Sequence, residues 1–174
     1  NWGAGFFTVS DEGDVVVCPQ GPKGPQISIP EIISGLRERG YDMPVLLRVE
    51  NILDSRIASL HESFRKAIKN LNYQGEYRGV FPIKVNQQQQ VVEKIAQFGS
   101  RYHHGLEVGS KAELIAAVSL MRDTEACIVC NGYKDEEFID LGLQAQRLGF
   151  NLFFVLEMPS ELDVLLSRSR ELGI

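Results

Sequence analysis

Four times between residue 77 and the end of the chain, a β-rich run is followed by a polar turn and an amphipathic helix. A parallel strand pair needs a crossover connection, and a helix usually supplies it, so this alternation is typical of βα units on one parallel sheet. The runs end near Lys84, Glu107, Cys130 and Leu156, about 23 to 26 residues apart, and a typical eight-unit barrel uses ~31 residues per unit. The pattern predicts an α/β fold with about four units of a partial (β/α) barrel. The four runs are YRGVFPIK, HHGLEV, ACIVC and NLFFVL.

The start of the chain carries a different pattern. Residues 6–17, FFTVSDEGDVVV, place turn formers between two β-rich runs and predict a hairpin. Residues 18–26, CPQGPKGPQ, hold three prolines and two glycines and predict a loop or linker. We therefore expect a small antiparallel element before the barrel begins.

A capping box, Ser28 and Glu31, opens a helix in this first region, and VLLRV at 45–49 predicts a strand. We expect residues 1–50 to form a β-rich N-terminal module with one helix. Residues 51–174 are then the first half of the barrel.

Three further helix starts are marked within the barrel region. A long helix is predicted from about Asp54 to Asn70. Capping boxes at Ser110-x-x-Glu113 and Ser160-x-x-Asp163 predict that helices begin after two of the strand-to-helix turns.

Composition and charge exclude several classes of protein. The net charge is −5, with Lys and Arg scattered among acids, so neither nucleic acid nor an anionic membrane is an expected partner. No apolar run approaches the ~20 residues that span a bilayer. The three cysteines lie in VVVC and ACIVC, as buried reduced thiols do, and the Cys127–Cys130 spacing puts them on opposite faces of a strand. These features predict a cytoplasmic protein without a disulfide framework or a metal site.

The two ends of the sequence suggest a fragment. The chain begins at Asn1 rather than Met, and it stops at Ile174, just after Gly173, which is predicted to cap the last helix. A closed barrel needs eight strands, because open edges expose unpaired backbone groups. We therefore expect about half of a barrel, with the rest supplied elsewhere.

In a barrel of parallel strands the active site lies at the carboxyl ends of the strands. Lys84 follows an apolar strand, so we expect its amine to project into a partly desolvated mouth, where burial lowers the lysine pKa and favours covalent chemistry. A lysine that ends a strand and reaches solvent is the alternative. The polar residues predicted at this edge are Lys84, Asn86, Glu107, Ser110, Asn131 and Lys134.

Two residues predicted near Lys84, Glu107 and Asn131, each allow a functional and a structural interpretation. Glu107 is predicted to lie beside Lys84 and to tune its amine or bind the ligand; a structural ion pair or a helix N-terminal acid is as plausible. Asn131 ends a third strand, but Asn-Gly is also an ordinary turn. His103 and His104 enter a strand from its other end, so we assign them no role.

Three motifs in combination, GVFPIKVNQQ, HHGLEVGSKAEL and VCNGYKD, resemble the biosynthetic arginine decarboxylases, which are pyridoxal-phosphate enzymes built on an alanine-racemase-like barrel of fold type III. The likeness extends from NWGAGFF to the last helix. It implies that the strand before Lys84 is the first of the barrel and that VLLRV belongs to a flanking β-domain. It also implies that only the N-terminal part of the family's chain is present, so we expect this segment alone to be inactive.

The resemblance implies the chemistry. Lys84 would be catalytic and would carry pyridoxal 5′-phosphate, and L-arginine would lose CO2 to give agmatine, the precursor of putrescine and spermidine in polyamine biosynthesis. Glu113 matches a further acid of the wider fold. Magnesium is implied as well, although no carboxylate cluster here would hold it. The implied cofactor-binding residues are Lys84, Glu107, Asn86, Ser110 and Asn131.

The same resemblance implies what lies outside this sequence. The family's phosphate clamp, the partner over the cofactor ring, the acid facing the pyridine nitrogen and the cysteine proton donor belong to later segments. The implied partners are the substrate, the remainder of the same enzyme chain and further copies in a homo-oligomer. Two alternatives stay open: another basic amino-acid decarboxylase, acting on ornithine, lysine or diaminopimelate, and a non-catalytic half-barrel partner chain.

Overall fold

The computed structural model describes residues 3–174; Asn1 and Trp2, where the predicted module and the resemblance begin, lie outside the described residues. The chain divides into two compact units, one ending at Arg56 and one spanning Ile57–Ile174. The sequence placed the division at residue 50, whereas the structure places it inside a long helix. The assignment of the two segments to separate domains stays a prediction.

The first unit contains a three-stranded antiparallel sheet in the order β1-β2-β3, followed by helix α1. The predicted hairpin is confirmed: β1 pairs with β2, and the Ser10 N–H donates to the Asp14 carbonyl across the turn at 2.8 Å. Val16, Val17 and Cys18 are buried. The elements are β1 (Phe7–Val9), β2 (Val15–Val17), β3 (Ile27–Ser28) and α1 (Ile29–Glu38).

Two expectations for this region have different outcomes. Residues 18–26 form a loop, as one of the two predicted alternatives stated, and they are not a linker, because β3 follows the loop and pairs back onto β2. Residues 45–49, VLLRV, are not a strand: no strand among residues 3–174 pairs with them, and the Leu46 side chain is 75% exposed. A β-rich run becomes a strand only where a neighbour completes its hydrogen bonds.

The second unit is built on a four-stranded parallel sheet in the order β4-β5-β6-β7, as the alternation predicted. Helix α2 starts at Glu50, earlier than the predicted Asp54, and carries the division between the units. The strands are β4 (Val80–Pro82), β5 (Gly105–Val108), β6 (Cys127–Cys130) and β7 (Asn151–Phe154), and the helices are α2 (Glu50–Asn70), α3 (Gln89–Gly99), α4 (Lys111–Leu120), α5 (Glu136–Arg147) and α6 (Pro159–Leu172).

The two faces of this sheet differ in burial. Leu106 and Ile128 are paired across β5 and β6, and both are fully buried. Glu107 and Val129 pair on the opposite face, which is only half-buried, and Phe153 beyond them is 51% exposed. Successive residues of a strand point to opposite faces, so Glu107 stands on the open face while its neighbours build the core.

Helix capping follows the sequence at two of the three predicted boxes. Ser28 and Ser110 are N-caps whose Oγ atoms accept hydrogen bonds from the N–H of Glu31 and Glu113. Ser160 is not a cap, because Pro159 takes the first position of α6 and Met158 precedes it. Proline favours the first helical position, since its missing N–H costs nothing there.

The three cysteines are free and buried, as predicted. Burial raises the pKa of Cys130 to about 12 and also raises that of Cys127. Among the described residues, no helix combines the length and apolar character needed to cross a membrane.

Candidate active site

Lys84 lies just beyond the carboxyl end of β4. The chain there forms a short 3₁₀ turn, Ile83–Val85, which buries Ile83 and leaves the Lys84 side chain 60% exposed. The Lys84 Nζ donates a 2.8 Å hydrogen bond to Oε1 of Glu107, a residue of the neighbouring strand β5. The two residues that the sequence placed side by side are therefore in direct contact.

The electrostatic environment of Lys84 differs from the expected one. The hydrogen bond and negative charge of Glu107 raise the pKa of Lys84, and Glu113 and Glu157 add to this effect. The hydrogen bond from Lys84 in turn lowers the pKa of Glu107. The expectation of a desolvated amine with a lowered pKa is wrong, because a largely exposed ammonium beside a carboxylate keeps its proton.

Asn131 is a second hydrogen-bond partner of Glu107. A side-chain hydrogen bond from Asn131 favours the charged form of Glu107. The Asn131 N–H donates to the Val108 carbonyl at 2.8 Å, so the pairing of β6 with β5 continues past the end of the strand. Gly132 then turns the chain at φ +74°, where an added Cβ would also lie 3.3 Å from the Gly109 carbonyl oxygen. The Asn-Gly pair thus serves both as a turn and as part of the site.

Glu113 joins two loops at the same edge of the sheet. Its Oε2 accepts a 2.6 Å hydrogen bond from the Gly109 N–H, in the loop after β5. Its Oε1 accepts a 3.2 Å bond from the side-chain amide of Gln87, in the loop after β4. Glu113 therefore fixes the loop that leads from Glu107 into α4.

Asn86 and Ser110 lie at this edge with part of their hydrogen-bonding capacity committed to the backbone. Asn86 Oδ1 accepts from the Gln88 N–H at 3.1 Å, and Ser110 Oγ caps α4. The amide protons of Asn86 and the hydroxyl proton of Ser110 are the donor groups available to a ligand. Their predicted contacts with a cofactor stay predictions.

Lys134, the remaining lysine predicted at this edge, is buried rather than available. Its side chain is 1% exposed, and its Nζ lies 3.4 Å from Oε2 of Glu161, which is 2% exposed. Sequence reasoning missed Glu161 and its neighbour Glu157. The signal was present in PSEL, because Pro159 at the first helical position places Glu161 at the third, where a glutamate reaches back to the chain before the helix.

Residues 55–171 match the model of a family described as "Pyridoxal-dependent decarboxylase, pyridoxal binding domain". This match covers well over half of the chain.

The chain belongs to this family.

Relatives of the pyridoxal-dependent decarboxylase family match over nearly the whole chain. A biosynthetic arginine decarboxylase of Rhodopirellula baltica is 49% identical over 99% of this chain, and one of Parasynechococcus marenigrum is 44% identical over 99%. The match covers 26% and 27% of those proteins, so the chain spans about a quarter of the length of the curated relatives.

Two solved structures share the fold. A biosynthetic arginine decarboxylase from Campylobacter jejuni has a TM-score of 0.90 and 35% identity, over 98% of this chain and 28% of that one. A diaminopimelate decarboxylase from M. jannaschi has a TM-score of 0.64 at 21% identity, over 99% of this chain and 35% of that one, and its likeness shows the fold alone. The parallel sheet with its helices is thus the fold of the arginine decarboxylase barrel.

The residues present fit a cofactor that carries an aldehyde. Lys84 offers a primary amine that is 60% exposed and is held by a single carboxylate, so a carbonyl carbon can approach it. Lys134, by contrast, is enclosed. Of the two lysines predicted at this edge, Lys84 alone has the access that covalent attachment requires.

Proposed function

We propose that this chain provides the cofactor-bearing lysine of a pyridoxal-phosphate-dependent carboxy-lyase that converts L-arginine to agmatine and CO2 in polyamine biosynthesis. The observation that carries the proposal is the Lys84–Glu107 contact at the carboxyl edge of the parallel sheet, in a chain of the pyridoxal-binding family. The choice of arginine is supported by biosynthetic arginine decarboxylases that match 99% of the chain.

Lys84 acts through its Nζ. Attack on an aldehyde requires the neutral amine, and the raised pKa of Lys84 means that the resting amine is protonated. Because the pKa of Glu107 is lowered, its carboxylate does not hold the proton at rest. Glu107 therefore orients Nζ and stabilises its positive charge; before Nζ could attack an aldehyde carbon it would release a proton to solvent, and the aldehyde oxygen would leave as water.

Pyridoxal phosphate, when bound, supplies a conjugated ring that accepts the electron pair left by departing CO2. The residues that would hold the cofactor here are Lys84, through its amine, and Glu107, which is hydrogen-bonded by Asn131. Asn86 and Ser110 would donate their remaining protons. Once substrate had displaced Lys84 from the cofactor, the Lys84 amine, which is 60% exposed, would be free to move a proton at the reacting carbon.

The finer points of location and partners also belong to this proposal. A cytoplasmic setting agrees with three free, buried thiols. The apolar side chains Phe153, Met158 and Leu162, each more than 40% exposed, suit coverage by further chain of the same enzyme or by another copy in a homo-oligomer. Magnesium rests on the resemblance alone: no group of three or more His, Cys, Asp or Glu in residues 3–174 could hold a metal ion, so we assign it no residue.

Decarboxylation of carboxyl-labelled amino acids by the purified enzyme, with this segment joined to the remainder of its chain and supplied with pyridoxal phosphate, tests the function. We expect labelled CO2 and agmatine from L-arginine, and much slower reaction with ornithine, lysine and diaminopimelate. Faster turnover of one of these three would overturn the arginine assignment. Absence of reaction with all four would favour the non-catalytic partner chain.

A further inference from the structure

Glu161 is a buried carboxylate that binds two loops at once. Its Oε1 accepts a 2.9 Å hydrogen bond from the N–H of Lys134, in the loop after β6. Its Oε2 accepts a 2.7 Å bond from the N–H of Glu157, in the loop after β7. The Lys134 ammonium lies 3.4 Å from the same Oε2 and donates to the Gly132 carbonyl. Glu161 therefore contacts Lys134 through both its backbone N–H and its ammonium.

Glu157 adds a second connection between these loops. Its backbone N–H is held by Glu161, and its Oε1 accepts a 2.9 Å hydrogen bond from the Gly132 N–H. Glu157 is exposed, and its charge raises the pKa of Lys84. Glu161 therefore fixes the backbone at Glu157, and the Glu157 carboxylate interacts electrostatically with the Lys84 amine.

The turn that this network fixes contains Asn131. Asn131 bonds the Glu107 carboxylate, and Glu107 bonds the Lys84 amine. An unbroken series of contacts therefore leads from the buried Lys134–Glu161 pair to the amine, through one turn and two side chains.

Stability alone is a poor reason for burying this pair. Apolar residues of similar volume often serve a core as well as or better than a buried ion pair. What an apolar pair could not do is accept two backbone N–H groups from different loops and fix their directions.

We propose that the Lys134–Glu161 pair is a positioning element for Lys84, which sets the turn at residues 131–134 and the carboxylate of Glu157. The inference rests on the proposed role of Lys84 as the cofactor-bearing lysine. The charged groups that face Lys84 are Glu107 from β5, Glu113 from α4 and Glu157 from the loop after β7. The pair acts on Lys84 by holding the first and third of these in place.

Glu161→Gln in the full chain tests this proposal. Glutamine keeps the volume, but it cannot accept two N–H groups with two oxygens, and it leaves the Lys134 charge without its partner. After dialysis against hydroxylamine, the rate at which acetic anhydride labels Lys84 at pH 8 is measured by peptide mass. We expect faster labelling than in the unaltered protein, because a loosened Glu107 no longer favours the protonated amine. In the loaded protein we expect kcat to fall by about 10- to 100-fold, with a smaller change in KM.

Asp140→Asn is the matched control. Asp140 accepts two hydrogen bonds from Arg168, at 2.8 and 2.6 Å, between α5 and α6 but away from this edge. The Asp140→Asn substitution weakens a contact between α5 and α6 and leaves the turn at residues 131–134 intact, so the rate of Lys84 labelling should stay unchanged. If Glu161→Gln folds and labels like Asp140→Asn, the pair is only a structural clamp and the proposal fails.

A pair of variants at Glu157 keeps the test decisive if Glu161→Gln does not fold. Glu157→Gln retains an acceptor for the Gly132 N–H and loses the charge, whereas Glu157→Ala loses both. We expect Lys84 to label faster in the Ala variant than in the Gln variant; equal rates would overturn the proposal. Labelling uses neither substrate nor cofactor, so this outcome is independent of whether arginine is decarboxylated.

Discussion

Two lysine–glutamate pairs stand at the same edge of the parallel sheet, and their surroundings differ. Lys84 and Glu107 lie 2.8 Å apart with side chains 60% and 13% exposed. Lys134 and Glu161 lie 3.4 Å apart with side chains 1% and 2% exposed. The first pair offers an amine to solvent, and the second ties loops together. Accessibility, rather than the presence of a partner, distinguishes Lys84, which we propose as the reactive lysine, from the buried Lys134.

The difference arises from where each lysine leaves its strand. Lys84 sits in the middle of a 3₁₀ turn whose apolar neighbour Ile83 enters the core. Lys134 comes four residues after the end of β6. Its backbone N–H donates a hydrogen bond there to Glu161, in the first turn of α6. The Lys84–Glu107 salt bridge leaves an amine accessible to a reactant, whereas the Lys134–Glu161 salt bridge is buried and connects loops.

Loss of catalysis on replacing Lys84 is the largest effect that we expect. Lys84→Arg keeps the charge beside Glu107 but removes the nucleophilic amine, so kcat for arginine decarboxylation should fall on the order of 10²- to 10⁴-fold. Lys111→Arg is the matched control, because Lys111 is an ion-paired lysine at the start of α4. Steady-state kinetics with labelled arginine would break the comparison if both variants kept full activity.

Loss of stability on replacing Lys134 is the next effect. Lys134→Met leaves the Glu161 carboxylate buried without its cation, which costs about 3–5 kcal/mol in the free energy of unfolding. Lys84→Met should change that free energy far less, since its amine is largely exposed. Urea unfolding followed by circular dichroism measures both. A smaller loss for Lys134→Met than for Lys84→Met would reverse the assignment of the two lysines.

The free energy of unfolding measured at decreasing pH sharpens the comparison of the two lysine–glutamate pairs. The contribution of a separate histidine pair has to be determined first. His61 and His104 are buried and joined by a 2.9 Å hydrogen bond, and burial, with the charge of His61, lowers the pKa of His104 to about 4. His104 binds a proton more readily in the unfolded chain than in the folded one. The free energy of unfolding therefore keeps its full value above pH 6.5 and decreases as the pH falls toward 4. We expect about 3 kcal/mol less unfolding free energy at pH 4 than at pH 7 from this group.

His104→Asn isolates that contribution in urea unfolding at several pH values. The variant should show a flatter loss between pH 6.5 and 4; an unchanged slope would contradict the account. Glu161 titrates lower: burial pushes its pKa up, but hydrogen bonds from Lys134 and Glu157 and the Lys134 charge lower it overall. Its contribution is therefore lost only as the pH falls below the ordinary glutamate value of 4.5.

Ser110→Ala is expected to give the smallest effect. Loss of the cap should cost about 1 kcal/mol of unfolding free energy. If the Ser110 hydroxyl also binds the cofactor, its affinity should fall by about 2- to 10-fold. Ser28→Ala removes a similar cap in the first unit and serves as the control. Equal cofactor affinity in the two variants, measured by absorbance titration, would limit Ser110 to its structural role.

The periodic part of the sequence predicted the fold well. The four strands and the contact between Lys84 and Glu107 follow from the alternation of βα units, because parallel strands end at one edge. VLLRV was mispredicted because local composition cannot say whether a partner strand is available. Ser160 was mispredicted because Pro159 sets the start of the helix instead.

Electrostatic features were harder to predict than elements. The raised pKa of Lys84 depends on carboxylates in β5, in α4 and in the loop after β7, and their directions are fixed only by the fold. The burial of Lys134 likewise depends on Glu161, which lies 27 residues further along the chain. Motif comparison predicted candidate site residues, but it could not tell which lysine is exposed.

Borohydride reduction of the protein loaded with pyridoxal phosphate, followed by peptide mass analysis, tests the central claim most directly. The account predicts a stable pyridoxyl group on the peptide that carries Lys84, together with loss of absorbance near ~420 nm, and no modification of Lys134. A pyridoxyl group on Lys134, or its absence from Lys84 in protein that decarboxylates arginine, would contradict it.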